Sequence, residues 1–484
     1  TAGLTPKPLN RAIQATLKIA PELQEWNDGP WMAKKKWTDW KAALQAAHSP
    51  QSETDLLPDA SARERLAYDE LLANQLALQI VRSRQRKRAG RPIMGDGRLR
   101  RRLEENLPFK LTVSQQVSLA EISADMKNKT RMLRLLQGDV GSGKTVVALM
   151  SMLAAVEDGT QAALMAPTEI LARQHFATIF PLAKAIGVSV VLITGRDKGK
   201  KRAALMAGLI AGETTIAVGT HALFQNDVVF KDLAFVVVDE QHRFGVHQRL
   251  ALAKKGSAAD ILVMTATPIP RTLMMTAYGD LETSRLTDKP AGRKPVKTRV
   301  LPLSRLEDVV DRLRGPILNG ARVYWVCPLV EDSEVLDLAA TTERHAALAQ
   351  RFGQRVGLVH GRLKPSEKDA VMAKFAAGDL DILVATTVIE VGVDVPEATI
   401  MVIEQAERFG LSQLHQLRGR VGRGEVKSFC LLLYGEQLTA TARARLKVMR
   451  DTDDGFFIAE EDLRLRGAGE MLGTRQSGLP QFRM

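Results

Sequence analysis

Between residues 107 and 434, short runs of apolar residues alternate with longer stretches in which apolar positions return every three or four residues. That alternation of strand and helix periods is the pattern of parallel α/β sheets. Strands are predicted at 132–136, 162–166, 190–193, 215–218, 235–238 and 261–264 in a first block. A second block repeats the alternation at 323–326, 356–359, 382–385, 399–403 and 429–433, and the polar stretch 287–298 between the blocks reads as a linker. From 441 onward the strand pattern stops and a helical tail rich in Arg and Glu takes over.

The first hundred residues differ. Trp26, Trp31, Trp37 and Trp40 lie among lysines and are expected to form a small local core. After a Ser, Pro and Asp-rich break at 49–60, residues 62–88 read as one long helix, free of Pro and Gly, with an apolar face of Leu66, Leu71, Leu72, Leu76, Leu78 and Ile80. Its end runs into ten basic residues between Arg82 and Arg102 against one acid, Asp96, and that run is either a solvated helix end or a DNA-facing or interdomain one. The expected division is 1–105 for a helical linker region, 106–288 and 289–440 for two tandem α/β domains, and 441–484 for a helical hairpin and loop.

Composition narrows this only slightly. Aromatics are 5% of the 484 residues, which argues against binding platforms built on stacked rings, while a net charge of +13 favours a polyanionic partner. Cys327 and Cys430 are the two cysteines, too far apart in sequence for a disulfide framework or zinc-ligand spacing, which fits a reducing compartment. No apolar run is long enough to span a membrane. The chain opens on Thr1, and the expectation is a fragment or processed product.

The chemistry begins at Gly138-Asp139-Val140-Gly141-Ser142-Gly143-Lys144-Thr145, which fits GxxxxGK followed by Ser or Thr, between a predicted strand and a helix expected at 145–156. Glycines let successive backbone N–H groups converge on phosphate oxygens, and the helix N-terminus adds partial positive charge. Lys144 supplies a point charge for the β- and γ-phosphates, and the Thr145 hydroxyl can ligate Mg²⁺. Asp239-Glu240-Gln241-His242 ends an apolar strand, so Asp239 is expected to hold Mg²⁺ through water and Glu240 to orient the attacking water. Thr265 and Thr267, in Thr265-Ala266-Thr267-Pro268, end another strand where hydrolysis could be coupled to motion. In the second block Gln416, Gly419, Arg420 and Arg423 fit QxxGRxxR, and the two arginines are candidates to neutralise transition-state charge from a different domain.

Together these motifs resemble superfamily 2 helicases, over 107–434 and in the expected order. The resemblance implies two RecA-like domains, ATP as the nucleotide and Gln115 as an adenine reader. It also implies nucleic-acid or coupling roles for Thr168, Thr220, His242, Thr265, Thr267, Arg362, Thr387 and Asp394. Asp239 to Arg249, reading DEQHRFGVHQR, together with His360-Gly361-Arg362-Leu363-Lys364-Pro365 and the tail Gly473-Thr474-Arg475-Gln476-Ser477-Gly478, is similar to the RecG family. The transcription–repair coupling factor is a near relative, but Gln241 and the 363–368 segment are closer to RecG.

That resemblance implies an ATP- and Mg²⁺-dependent translocase of branched double-stranded DNA, with Arg475 and Gln476 as loop contacts. It further implies action as a monomer in the bacterial cytoplasm, with single-strand-binding protein as a further partner. The family's fork-splitting wedge is expected upstream of Thr1, with further chain beyond Met484. A non-hydrolysing scaffold conflicts with the intact Lys144, Asp239, Glu240, Arg420 and Arg423. A single-stranded RNA helicase conflicts with the DEQH sequence and the tail.

Overall fold

The computed structural model describes residues 6–86, 89–225, 227–240, 259–270, 281–288, 294–328, 334–386, 395–422, 424, 426–435 and 437–473. They fall into two compact units, one made chiefly of the first 84 residues, the other running from Gln85 through both sheets.

The first unit contains α1 (Pro6–Lys18), α2 (Gly29–Lys35), α3 (Trp40–His48) and α4 (Ser61–Arg86). Asp28 and Asp39 start α2 and α3 by accepting from the N–H groups of Trp31 and Ala42, which satisfies donors a helix start leaves orphaned. Of the four tryptophans expected to form a local core only Trp37 is buried, with Trp31 and Trp40 half-buried and Trp26 exposed. Trp37 is buried against Tyr68, with ring centroids 5.1 Å apart, and donates from Nε1 to Glu64 at 3.1 Å. Arg65 is fully buried and holds the cluster from within, donating to both Glu25 oxygens at 2.9 and 3.0 Å and to Asp69. The apolar face expected along α4 is not a continuous core stripe. Leu66 is buried, but Leu71, Leu76 and Ile80 are exposed, because the aromatic cluster covers only the first turns. The side chain of Leu78 lies outside the described residues.

In the second unit α5 (Arg98–Asn106) and α6 (Val113–Met126) lead into a seven-stranded parallel sheet. Its strands are β1 (Leu133–Gly138), β2 (Gln161–Met165), β3 (Val190–Ile193), β4 (Ile216–Gly219), β5 (Leu233–Asp239), β6 (Asp260–Thr265) and β7 (Glu282–Leu286), in spatial order β3-β4-β2-β5-β6-β1-β7. Helices α7 (Lys144–Glu157), α8 (Glu169–Ala185) and α9 (Gly199–Ala211) connect them. Every residue of α7 from Val146 to Ala155 is buried, so the helix that opens at the Gly138-to-Thr145 turn is also the central core helix. Within the basic run, Arg100 pairs with the buried Glu157 at 3.1 Å and Arg91 with Asp232, whereas Arg98, Arg101 and Arg102 are exposed.

The second sheet has six parallel strands, β8 (Lys297–Pro302), β9 (Arg322–Val326), β10 (Val356–Val359), β11 (Ile382–Ala385), β12 (Ala398–Ile403) and β13 (Phe429–Tyr434), in order β10-β11-β9-β12-β13-β8. It carries α10 (Leu306–Leu318), α11 (Glu334–Phe352), α12 (Pro365–Ala377) and α13 (Leu411–Arg418). A helical pair follows, α14 (Ala440–Asp451) and α15 (Gly455–Gly473). Leu446, Met449 and Ile458 from that pair share one core with Phe375, Met401 and Leu432, and Ser412 donates to Asp462 at 3.0 Å. Two strands were not expected from the apolar pattern, β7 and β8, and β8 takes Lys297 and Thr298 out of the expected linker. Cys327 and Cys430 are buried and free. Among the described residues no helix is long and apolar enough to cross a membrane.

Candidate active site

The carboxyl ends of β1, β5 and β6 carry the candidate chemistry, where open parallel sheets place their ligands. Gly138 closes β1 and Gly143 caps α7 with φ of 86°, a conformation that favours glycine. A Cβ on Gly143 would also collide with the Gln115 amide. Lys144 Nζ donates to the carbonyls of Gly138 at 2.6 Å and Asp139 at 2.9 Å, so its ammonium lies inside the turn. Gln115 is buried with both ends of its amide engaged. Oε1 accepts from Thr112 N and Nε2 donates to Ser142 O, each at 2.9 Å. The helicase resemblance implies Gln115 as an adenine reader; the hydrogen bonds it makes tie the N-terminus of α6 to the Gly138-to-Thr145 turn.

Asp239 and Glu240 end β5 with opposed electrostatics. Burial disfavours the ionised Asp239, but the charge and hydrogen bond of His175, together with Lys144, hold its carboxyl below the ordinary range. Burial raises Glu240, and the adjacent Asp239 raises it further, against the pull of Lys144 and of Arg420 from the second sheet. Neighbouring carboxyls pushed in opposite directions suit a metal-holding anion beside a proton acceptor. Glu240 adopts φ of 51° and accepts from Ala266 N at 3.1 Å, which joins it to the Thr265-to-Thr267 turn, where the two hydroxyls lie 2.9 Å apart.

Two histidines complete this network, and neither was singled out by the sequence pattern. His175 on α8 donates from Nε2 to Asp239 Oδ2 at 2.7 Å, and its Nδ1 lies 3.5 Å from the Thr145 hydroxyl. His415 on α13 meets Asp139 Oδ1 at 3.1 Å, and Arg418 Nη2 lies 3.1 Å from the other ring nitrogen. Arg418 Nη1 donates to the carbonyls of Met449 at 2.7 Å and Thr452 at 2.8 Å, which end α14. The Gly455 backbone, at the start of α15, lies against Asp139 as well, its N–H favouring the ionised carboxyl. Burial opposes ionisation of Asp139, yet His415, Lys144 and Gly455 together keep its carboxyl below the usual range. Gly419 packs so closely on Val140 that a Cβ there would be 3.0 Å from the valine Cβ. Arg285 of β7 lies over the Phe456 ring, 5.3 Å from its centroid. The second sheet and its helical pair therefore touch the phosphate turn at several points.

The structure brings Gln115, Gly138 to Thr145, Asp239, Glu240, Thr265, Thr267 and Arg420 into this region, with Gln416 half-buried on α13 beside His415. Thr168 and Thr220 are not in it. Each caps a helix, accepting from Leu171 N and from Ala222 N at 3.4 Å, and Thr220 is buried. Arg362 is exposed before α12. His242, Thr387, Asp394, Arg423, Arg475 and Gln476 lie outside the described residues.

Two parallel sheets, a glycine-rich turn of the phosphate-binding pattern with paired acids on one, and an arginine from the other whose charge reaches Glu240 define a RecA-like helicase core. Residues 113–276 match the family model of DEAD/DEAH box helicases, and residues 306–425 that of the helicase conserved C-terminal domain. The ATP-dependent DNA helicase RecG of Escherichia coli (strain K12) is 49% identical over 452 residues, covering 91% of this chain and 65% of that protein. RecG of Pasteurella multocida (strain Pm70) is 45% identical over 100% of this chain and 71% of its own length. A solved structure of RecG bound to a three-way DNA junction superposes with a TM-score of 0.80 at 41% identity, covering all of this chain and 63% of that one. The chain belongs to the RecG family of ATP-dependent DNA helicases. It spans 65% of the length of the Escherichia coli relatives.

Proposed function

We propose that the chain is the ATP-driven motor of a branched-DNA helicase, translocating on double-stranded DNA to remodel stalled forks and Holliday junctions in recombination and repair. In this reading 106–288 and 289–440 are the motor domains, 1–105 the helical linker region and 441–484 the translocation hairpin and loop. The observation that carries it is the convergence on one phosphate turn of Lys144, Asp239 and Glu240 from the first sheet with Arg420, His415 and Gly455 from the second and its hairpin. Family membership adds the DNA.

ATP phosphates would take the N–H groups of Gly138 to Thr145, with Lys144 exchanging its carbonyl partners for phosphate oxygens. The residues present fit a Mg²⁺ ion. The Thr145 hydroxyl and an ionised Asp239 supply a small oxygen set, which suits a cation that keeps water and phosphate as its other ligands. Bound there, Mg²⁺ would neutralise developing phosphate charge. Glu240, raised toward neutrality of charge by burial and held by Ala266, would orient the attacking water. Arg420, with Arg423 and Gln416, would close on the γ-phosphate. Gln115 would read adenine through whatever hydrogen-bonding capacity Thr112 and Ser142 leave it. Thr168, Thr220, His242, Thr265, Thr267, Arg362, Thr387, Asp394, Arg475 and Gln476 would carry DNA contact and coupling. A monomer in the bacterial cytoplasm, with single-strand-binding protein as a partner, completes the reading.

ATP turnover measured in parallel with forked DNA, linear duplex and single-stranded RNA tests it. The DNAs should stimulate most, with stimulation falling steeply as salt rises. Best stimulation by RNA would overturn the assignment.

A further inference from the structure

His175 has no place in the nucleotide chemistry read from the motifs, yet it contacts both side chains assigned to the cation. Its Nε2 is 2.7 Å from Asp239 Oδ2 and its Nδ1 is 3.5 Å from the Thr145 hydroxyl. Both sides of the ion pair are well shielded, with side-chain exposures of 12% for His175 and 9% for Asp239. A carboxylate only accepts, so Nε2 donates to Asp239, and Nδ1 is left facing the Thr145 hydroxyl. A hydroxyl engaged by Nδ1 has its rotation fixed, and with it the direction of the lone pairs left to ligate a cation.

The ring is held by the helix that carries it. α8 packs Ala172, Ile179 and Ala183 into the core, and His175 lies on its second turn, seven residues from the capping Thr168. Its freedom to move is therefore tied to α8 as a whole.

We infer that His175 is a positioning residue for the Mg²⁺ of the nucleotide site, orienting the Thr145 hydroxyl and the Asp239 carboxylate through its two ring nitrogens. The inference rests on the nucleotide-site reading above. Outer partners of metal ligands fix ligand orientation, and their loss typically lowers metal affinity by about 10- to 100-fold.

The test uses the whole chain and the fluorescent nucleotide mant-ADP, titrated in EDTA and then with Mg²⁺. In His175→Ala the affinity in EDTA should match that of the unmodified chain, while the Mg²⁺ concentration giving half of the Mg²⁺-dependent change should rise by about 10- to 100-fold. His175→Gln keeps one donor and one acceptor on an amide of similar reach and should recover most of that loss. An unchanged Mg²⁺ midpoint in His175→Ala would overturn the inference. So would a lower midpoint, which would make the imidazole an obstacle to the cation, or an equal loss of binding in EDTA and Mg²⁺, which would make it only a support of the fold. Absence of any Mg²⁺ response in the unmodified chain is a separate failure, because it removes the nucleotide-site reading and the inference with it.

Discussion

Replacing Gly455 with alanine should separate ATP hydrolysis from movement on DNA. The residue opens α15 without a left-handed backbone, so alanine is compatible with its conformation, and alanine is up to about 1 kcal/mol better than glycine inside a helix. The added Cβ, however, would overlap Asp139 Oδ1 and come to 2.6 Å from His415 Nε2. Relief requires Asp139 to turn away or the start of α15 to retreat, and either route breaks the contact of the Gly455 N–H with a partly buried carboxylate. A hydrogen bond to a charged group is worth roughly 1.5–3 kcal/mol. A loss near 2 kcal/mol corresponds to a roughly 30-fold weaker coupling of the hairpin to the phosphate turn. The assay is displacement of a third strand from linear duplex DNA, run beside ATP turnover. Gly455→Ala should retain turnover within a few-fold while strand displacement per ATP falls by about an order of magnitude, by the same coupling arithmetic. In an Asp139→Ala background the overlap with the carboxylate is gone and only the approach to His415 Nε2 remains, so Gly455→Ala should cost less there than alone, the non-additivity expected of touching residues. Displacement per ATP at the unmodified level, or strictly additive losses in the double variant, would refute the contact as a coupling element.

Lys144→Ala should abolish ATP turnover while leaving thermal unfolding within a few degrees of the parent, and normal turnover would remove the P-loop assignment. Arg420→Ala should lower kcat by about 10³-fold with a much smaller change in mant-ADP binding, as expected for a charge needed in the transition state rather than the ground state. Asp260 gives a pH signature. Burial lifts its carboxyl to about 7 from 3.8, against the opposing Met132 N–H bond. The native state thus holds the proton more tightly than the unfolded chain. Stability contributed by the neutral carboxyl is complete below about pH 4 and is lost as pH rises through 7, by roughly 4 kcal/mol at most. Asp260→Asn keeps an acceptor for Met132 N at 2.7 Å without the charge, so denaturant unfolding at pH 5 and pH 8 should show a much smaller drop in the variant. Parallel pH dependences would exclude Asp260 as the cause.

The strands that the apolar pattern revealed, and the two it did not, differ in one physical respect. The ranges of β3, β10 and β11 match the sequence reading residue for residue, and β2, β5, β6 and β12 differ by a residue or two at their ends. Of these, β2, β5, β6, β11 and β12 are interior and largely buried on both faces, while β3 and β10 are edges whose sequences, VVLI and VGLV, are still apolar runs. β7 and β8 are edge strands of their sheets, with sequences ETSRL and KTRVLP and at least half of their positions short of full burial. Edges carry charge for good reason, since it discourages further strand pairing, and that same charge made β8 read partly as linker.

The same distinction governs the site. Phosphate binding is a backbone problem solved within eight consecutive residues, so Gly138 to Thr145 can be read locally, and Asp239 is marked by the apolar strand it ends. His175 and His415 meet partners 64 and 276 residues away, and a single histidine on a helix face has no period to reveal it. What His415 adds is a second route between the domains. The motifs imply that the second sheet senses nucleotide through Arg420 at the γ-phosphate. The Asp139–His415–Arg418 chain and the Gly455 N–H join the turn itself to both ends of the α14–α15 connection. If only the first route transmitted motion, removing Arg420 and disturbing Gly455 would impair the same step. The geometry requires different failures, loss of chemistry for the arginine and loss of mechanical yield for the glycine.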